Sequence, residues 1–429
     1  MPPSLLVAPC ADRDVPQGLS MSATVRAGYK QTNVGIIPAD WTAASIGEVV
    51  SFSGGTQPPR STFRFAPARE YIRLVQIRDY KSDAFETYIP MSLARNRCNV
   101  DDVMIGRYGP PVFQILKGIE GAYNVALIKT HPSNRIERGY MYYVLKQDKL
   151  FRMIDAMSRR SSGQTGVEMP ALKSYGLPLP TLPEQRAITA ALSDVDALLS
   201  KLDAFIAKKR DLKQAAMQRL LSGQTRLPGF SGEWEVKLLG GVGRFLKGSG
   251  VRKDESLSGS LRCIRYGEIY TRHNDYIKTF YSWISERVSV TATRLKCGDL
   301  CFAGSGETKE DIGKCVAFID ASEAYAGGDI VILRPENANA VFLGYYLNTR
   351  PINSQKASRG QGDAVVHISA TALSGIEITV PKLEEQTAIA TVLSDMDAEL
   401  TALEARRDKT RVLKQGMMQE LLTGRIRLV

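Results

Sequence analysis

Pro180-Thr181-Leu182-Pro183-Glu184-Gln185-Arg186-Ala187-Ile188 returns 201 residues later as Pro381-Lys382-Leu383-Glu384-Glu385-Gln386-Thr387-Ala388-Ile389. The match continues through Leu192-Ser193-Asp194-Val195-Asp196-Ala197 against Leu393-Ser394-Asp395-Met396-Asp397-Ala398. It closes with Leu212-Lys213-Gln214, Met217-Gln218, Leu220-Leu221, Gly223 and Arg226-Leu227 against Leu413-Lys414-Gln415, Met418-Gln419, Leu421-Leu422, Gly424 and Arg427-Leu428. No gap interrupts the pairing from Pro180 to Leu227, and about half of the positions are identical, so the chain is an internal duplication.

Both copies read as long helices. Ile188, Leu192, Val195, Leu199, Leu202 and Ile206 in the first copy, and Ile389, Leu393, Met396, Leu400 and Leu403 in the second, follow the 4-3 rhythm of a coiled-coil seam. The rhythm shifts and resumes at Leu212, Ala216 and Leu220, and at Leu413, Met417 and Leu421, which reads as a stutter. Glu184-Gln185 and Glu385-Gln386 stand in the first turns, and Gly223 and Gly424 supply stop signals. Each helix is then about 39 residues and about 58 Å long at ~1.5 Å per residue. An isolated helix of this kind exposes its stripe, so the two are expected to pack on each other, antiparallel.

Weaker parallels extend the repeat between the helices. Asp40-Trp41 matches Glu233-Trp234, Val103-Met104-Ile105 matches Leu300-Cys301-Phe302, and Tyr140–Leu145 matches Phe342–Leu347. Trp41 and Trp234 read as core anchors. The plan is globule, helix, globule, helix. The globules mix β-rich runs (Tyr71–Ile77, Ile312–Ile319, Ile330–Leu333) with short helices, an α/β or α+β class. The expected boundaries are 22–178 and 228–379 for the globules, and 179–227 and 380–429 for the helical spacers. The whole is expected to be pseudo-twofold and nearly circular. Residues 1–21 fall outside the pattern and are expected as a disordered extension, or as the product of an early start codon with Met21 the true start.

The chain has 429 residues and a formal charge of +11. Apolar residues make up 44% and charged residues 24%, which excludes a disordered or fibrous chain. No apolar run reaches the ~18 residues of a membrane span, and the N-terminus lacks the features of a signal peptide, so a cytoplasmic protein is expected. The six cysteines are scattered and the only histidines are His131, His273 and His367, which argues against a zinc site or a disulfide framework and for buried free thiols.

This doubled pattern closely resembles the specificity subunit of type I restriction-modification systems. The resemblance covers nearly the whole chain beyond Met21. Its most specific parts are the P-x-L-x-E-Q-x-x-I and L-S-D-x-D helix starts and the L-K-Q, M-Q and L-L-x-G helix ends. It implies that the globules are target recognition domains, each reading one half of a bipartite double-stranded DNA site. The helices would set the spacer and dock two methyltransferase (M) subunits. S-adenosylmethionine would then be held by the M subunits, and ATP and Mg would serve restriction (R) subunits. The chain itself would carry neither cofactor, metal nor catalytic residue.

Charge fits DNA reading unevenly. Residues 41–177 carry 19 Lys and Arg against 12 Asp and Glu, whereas residues 228–379 carry 18 against 17. A basic domain suits phosphate contact with counterion release. Base reading in the major groove uses Arg or Lys for guanine and Asn or Gln for adenine. On that chemistry the first domain offers Arg60, Arg73, Gln76, Arg78, Lys81, Arg107, Tyr108 and Gln114. The second offers Lys247, Arg252, Lys253, Arg265, Tyr266, Arg272, His273, Asn274, Ser305 and Lys309. Gln164 and Gln361 sit in equivalent Gly-Gln loops that either approach DNA or simply make a turn.

Enzyme readings fail on spacing. Gly304-Ser305-Gly306-Glu307-Thr308-Lys309 lacks the order of a phosphate loop. Asp299 with Glu307 and Lys309 is too short a match for a nuclease carboxylate set. No Asn-Pro-Pro-aromatic segment, H-E-x-x-H or G-x-S-x-G occurs. A coiled-coil scaffold whose globules bind proteins, and a specificity subunit serving a fused restriction-methylation enzyme, remain as alternatives.

Overall fold

A computed structural model describes residues 25–158, 166–362 and 365–428. The expected N-terminal extension and Gln164 lie outside the described residues. Two helices of 39 residues each, α1 (Leu182–Leu220) and α2 (Leu383–Leu421), stand where the repeat predicts them. Each is followed shortly after its last residue by a glycine with positive φ, Gly223 at 71° and Gly424 at 74°. A side chain at Gly424 would also collide with Pro38, since its Cβ would lie 2.5 Å from the proline ring.

The chain divides into two compact units. The first comprises residues 1–199 and 409–429, so it holds the first globule, the start of α1 and the end of α2. The second comprises residues 200–408, with the second globule, the rest of α1 and the start of α2.

The same frame is built twice. In the first unit one four-stranded sheet places Val50–Gly54, Leu127–Pro132, Met104–Gly106 and Gln114–Leu116 side by side. In the second unit the corresponding sheet orders Gly243–Lys247, Ile330–Pro335, Leu300–Ala303 and Cys315–Ala317. A second sheet in each unit joins Tyr71–Val75 in parallel to Gly121–Tyr123, and Leu261–Ile264 in parallel to Ala324–Ala326. A two-stranded ribbon leads into each long helix: Thr42–Ser45 with Gly176–Leu179, and Glu235–Leu238 with Glu377–Val380. The repeat is weak in this part of the sequence because the frame needs only alternating apolar residues, which many sequences satisfy.

Each core closes over the helices. Trp41, Tyr140 and Leu179 pack with Ile188 and Leu192 of α1 and with Leu421 and Leu422 of α2. In the second unit Leu239, Phe342 and Val380 pack with Leu220 and Leu221 of α1 and with Ile389 and Leu393 of α2. Of the seam positions, Ile188, Leu192, Leu202, Ile206, Ile389, Leu393 and Leu400 are buried, and Val195, Leu199, Met396 and Leu403 are half-buried. The segments run antiparallel within each unit. Asp196 meets Lys414 in the first, while Asp203 meets Arg407 and Lys213 meets Asp397 in the second.

Two expectations need correction here. Leu212 and Leu413 do not resume the seam, being 48% and 59% exposed. Lys213 and Lys414, one residue further on, take the inward place as ion-pair donors. The thiol expectation holds for Cys98, Cys263, Cys301 and Cys315, but Cys297 is exposed.

Candidate nucleic-acid interface

Some of the positions expected to read DNA lie around one hairpin in each globule, and the rest are spread over other turns. In the first, Gly106 leads into the loop 107–112, and Phe113 N–H donates back to the Gly106 carbonyl at 3.0 Å. Arg107 is fixed at its backbone on both sides: its N–H donates to Ala126 and its carbonyl accepts from Val167. In the second, Gly304 makes the same two bonds, donating to Asp329 and accepting from Ile368. Gly304 is therefore the counterpart of Arg107. Three more residues separate Gly304 from the buried pair Ile312-Gly313 than separate Arg107 from Val112-Phe113.

Arg107 is exposed, with its guanidinium 5.2 Å from the Tyr108 ring centroid. Gln114 donates to the Pro111 carbonyl across the loop. A neighbouring network holds three more of the expected residues. Gln76 and Arg78 both donate to Thr87 Oγ1, at 3.1 and 3.3 Å. Arg73 pairs with Asp83 and Glu86, each at 2.8 Å, and approaches Asp79 at 3.9 Å. Its side chain is only 18% exposed, so Arg73 fixes the turn beneath the surface instead of reaching outward. Ile77 connects this network to the hairpin, because a Cβ at Gly106 would stand 3.3 Å from it. Arg60 and Lys81 are exposed and have no carboxylate partner among the described residues.

In the second globule, Lys247, Gly304, Asp329 and His367 line a cavity of about 440 Å³. Ser305 shares a 2.9 Å hydrogen bond with His367 Nδ1, and Gln361 exchanges two backbone hydrogen bonds with His367. The structure thus brings Lys247, Ser305 and Gln361 together around a histidine that the sequence offered no reason to choose. Ser305 is itself buried, so it orients His367 and does not present its own hydroxyl. Lys309 is exposed at the hairpin tip. The loop is pinned from below by Lys356, a fully buried lysine that donates to the Gly313 carbonyl at 2.8 Å. Burial pushes its ammonium down to about 8.

Arg265 and Tyr266 open a short helix, Tyr266–Thr271, in which Glu268 accepts from the Arg265 backbone. Arg272 lies over the Tyr281 ring at 5.1 Å. Arg252 and Lys253 are exposed on a separate turn. Asn274 lines a different cavity of about 330 Å³ with Asp275, Lys314 and Asn348. His273 is a correction: it is 3% exposed and is part of the interior. Asp299 also belongs to the structure, being fully buried under a bidentate Arg334 with both contacts at 2.7 Å.

Burial, with Lys314 nearby, pushes the His273 imidazole down to about 4 from an ordinary 6.5. The unfolded chain takes up that proton near 6.5 while the folded one resists it until about 4. Its contribution is therefore intact above about pH 6.5 and lost progressively as pH falls below that. Thermal melts at pH 7 and pH 5 should show a larger drop for the native protein than for His273→Phe. Parallel drops would exclude His273 as a source of acid sensitivity.

The family described as type I restriction modification DNA specificity domain matches residues 38–208 and 231–413, one stretch over each globule and its following helix. The chain belongs to that family. It is a specificity subunit, the DNA-recognising component of a type I restriction-modification system. The putative MjaX specificity subunit of Methanocaldococcus jannaschii is 24% identical over 436 residues, covering 93% of this chain and 97% of that relative. The MjaVIII specificity subunit of the same organism is 22% identical over 410 residues, covering 91% and 94%. Two solved structures share the fold. The type I S subunit from M. genitalium has a TM-score of 0.58 at 15% identity, covering 92% of this chain and 98% of that one. A chain from a study of type I R-M assembly and conformational transition has a TM-score of 0.52 at 17% identity, covering 91% and 99%. No helix among the described residues of this specificity subunit is long and apolar enough to cross a membrane.

Proposed function

We propose that each globule of this specificity subunit reads one half of a bipartite duplex, and that α1 and α2 set the spacer between the halves. The observation that carries this reading is the twofold use of one strand frame with unlike loops upon it. Arg107 and Tyr108 on the first hairpin, and Lys309 with the His367 cluster on the second, present different side chains from equivalent positions. Base edges are distinguished by such side chains, while phosphate contacts only position the protein. The exposed Arg60 and Lys81 suit the second task, as do Lys247, Arg252, Lys253 and Arg272.

In the same reading α1 and α2 dock two M subunits, with R subunits joining the complete assembly. The chemistry that S-adenosylmethionine, ATP and Mg supply belongs to those partners, and the specificity subunit is non-catalytic. Its own residues select the site and hold it.

The test is a map of methylated adenines in DNA from cells expressing the chain with its methyltransferase subunit. The expected result is one bipartite motif, two short defined halves around an unspecified spacer, that appears only when both chains are present. A stable complex with an active methyltransferase and no new motif would favour the scaffold reading.

A further inference from the structure

Two matching clusters tie the globules to the long helices. In the first unit Tyr143 sits on the short helix Arg138–Leu145 of the globule, and its hydroxyl donates to Asp196 Oδ2 of α1 at 2.9 Å. The other oxygen of that carboxylate, Oδ1, accepts from Lys414 Nζ of α2 at 2.6 Å. In the second unit the parts recur with the long helices exchanged. Tyr345, on Ala340–Tyr346, donates to Asp397 Oδ2 of α2 at 2.5 Å, and Lys213 of α1 donates to Asp397 Oδ1 at 2.8 Å. Each lysine also lies over the ring of its tyrosine, at 5.5 and 5.1 Å. Both tyrosines are buried, and burial raises both phenols above their usual value, so each hydroxyl remains a donor.

We infer that these two clamps are positioning devices for spacer length, an inference that rests on the bipartite reading above. Apolar packing already attaches each globule to the helices, but it is non-directional and tolerates small slides and rotations. A charge-assisted hydrogen bond has a preferred length and angle, and here one carboxylate serves a globule on one oxygen and the opposite helix on the other. The clamp therefore fixes where along the helix pair a globule stands and how it is turned. Seventeen residues separate Asp196 from Lys213 on α1, and seventeen separate Asp397 from Lys414 on α2. The clamps touch none of the residues proposed to read bases. Their loss is therefore expected to loosen the spacer and leave the half-sites alone.

The experiment uses the full chain co-expressed with its methyltransferase subunit and a library of targets with spacers one base pair shorter, cognate, and one longer. Tyr143→Phe with Tyr345→Phe removes only the two hydroxyls. Methylation of the off-length targets relative to the cognate one should rise about tenfold, the scale of one hydrogen bond to a charged group. Base preference within each half-site should not move. Asp196→Asn with Asp397→Asn should act in the same direction, whereas Lys213→Arg with Lys414→Arg, which keeps both cations, should retain discrimination. Unchanged spacer discrimination in the double Phe variant, with cognate methylation intact, overturns the proposal. So does a change in base preference accompanying the change in spacing. If the native chain directs no bipartite methylation at all, the reading beneath the proposal fails, and the proposal with it.

Discussion

Replacing Arg427 by alanine should lower the unfolding free energy of the first unit by about 3 kcal/mol, the scale of breaking a buried charge pair. Arg427 stands near the end of the described chain, where loss of a side chain is ordinarily tolerated. Here it forks onto Glu184 with contacts of 2.6 and 2.8 Å and onto Asp40 with contacts of 2.9 and 2.8 Å. The Glu184 side chain is 2% exposed, and its only other side-chain donor among the described residues is Trp41 Nε1 at 2.8 Å. Removal of the guanidinium strands a buried carboxylate. Arg226 holds Glu385 in the same way in the second unit, but among the described residues it has no second carboxylate and Trp234 Nε1 has no partner. Arg226→Ala should therefore cost less. Urea denaturation of both variants checks the order; a larger loss for Arg226→Ala would refute this account. Arg427→Lys should recover only part of the loss, because an ammonium cannot reproduce the fork.

The second large effect is on the target itself. Four residues inserted between Asp196 and Lys213, matched by four between Asp397 and Lys414, lengthen each helix by about 6 Å. Base pairs stack at about 3.4 Å per step. The methylated motif should therefore gain one or two base pairs of spacer, with both half-sites unchanged. Methylome sequencing reads this directly, and an unaltered spacer would sink the idea that the helices act as a ruler.

The helices were legible because their signals are local and doubled: Glu184-Gln185 and Gly223 bound one of them, and Glu385-Gln386 and Gly424 the other. The clamps were not, although half of each lay in plain view. Asp196 and Asp397 close the repeated L-S-D-x-D segment, yet an aspartate on a long helix ordinarily faces solvent. Their partners Tyr143 and Tyr345 are 53 and 52 residues distant, and only the fold brings them near. Arg226 and Arg427 were likewise visible as repeated residues but not as partners of Glu385 and Glu184. Among the DNA-reading candidates, residue type suggested the chemistry while burial decided availability. His273, Ser305 and Arg73 turn inward for that reason, whereas His367 is exposed and nothing local in the sequence distinguishes it from His131.

The three extra residues on the second hairpin bear on direction. A protein whose halves were identical would meet a duplex equally well either way round and would call for a palindrome. With Gly304 standing where the other half has Arg107, the two globules are chemically unlike. On the proposed reading, a target read by such a pair would have a left and a right, so a complex bound there would be polar on DNA, and machinery joined to it would inherit a heading.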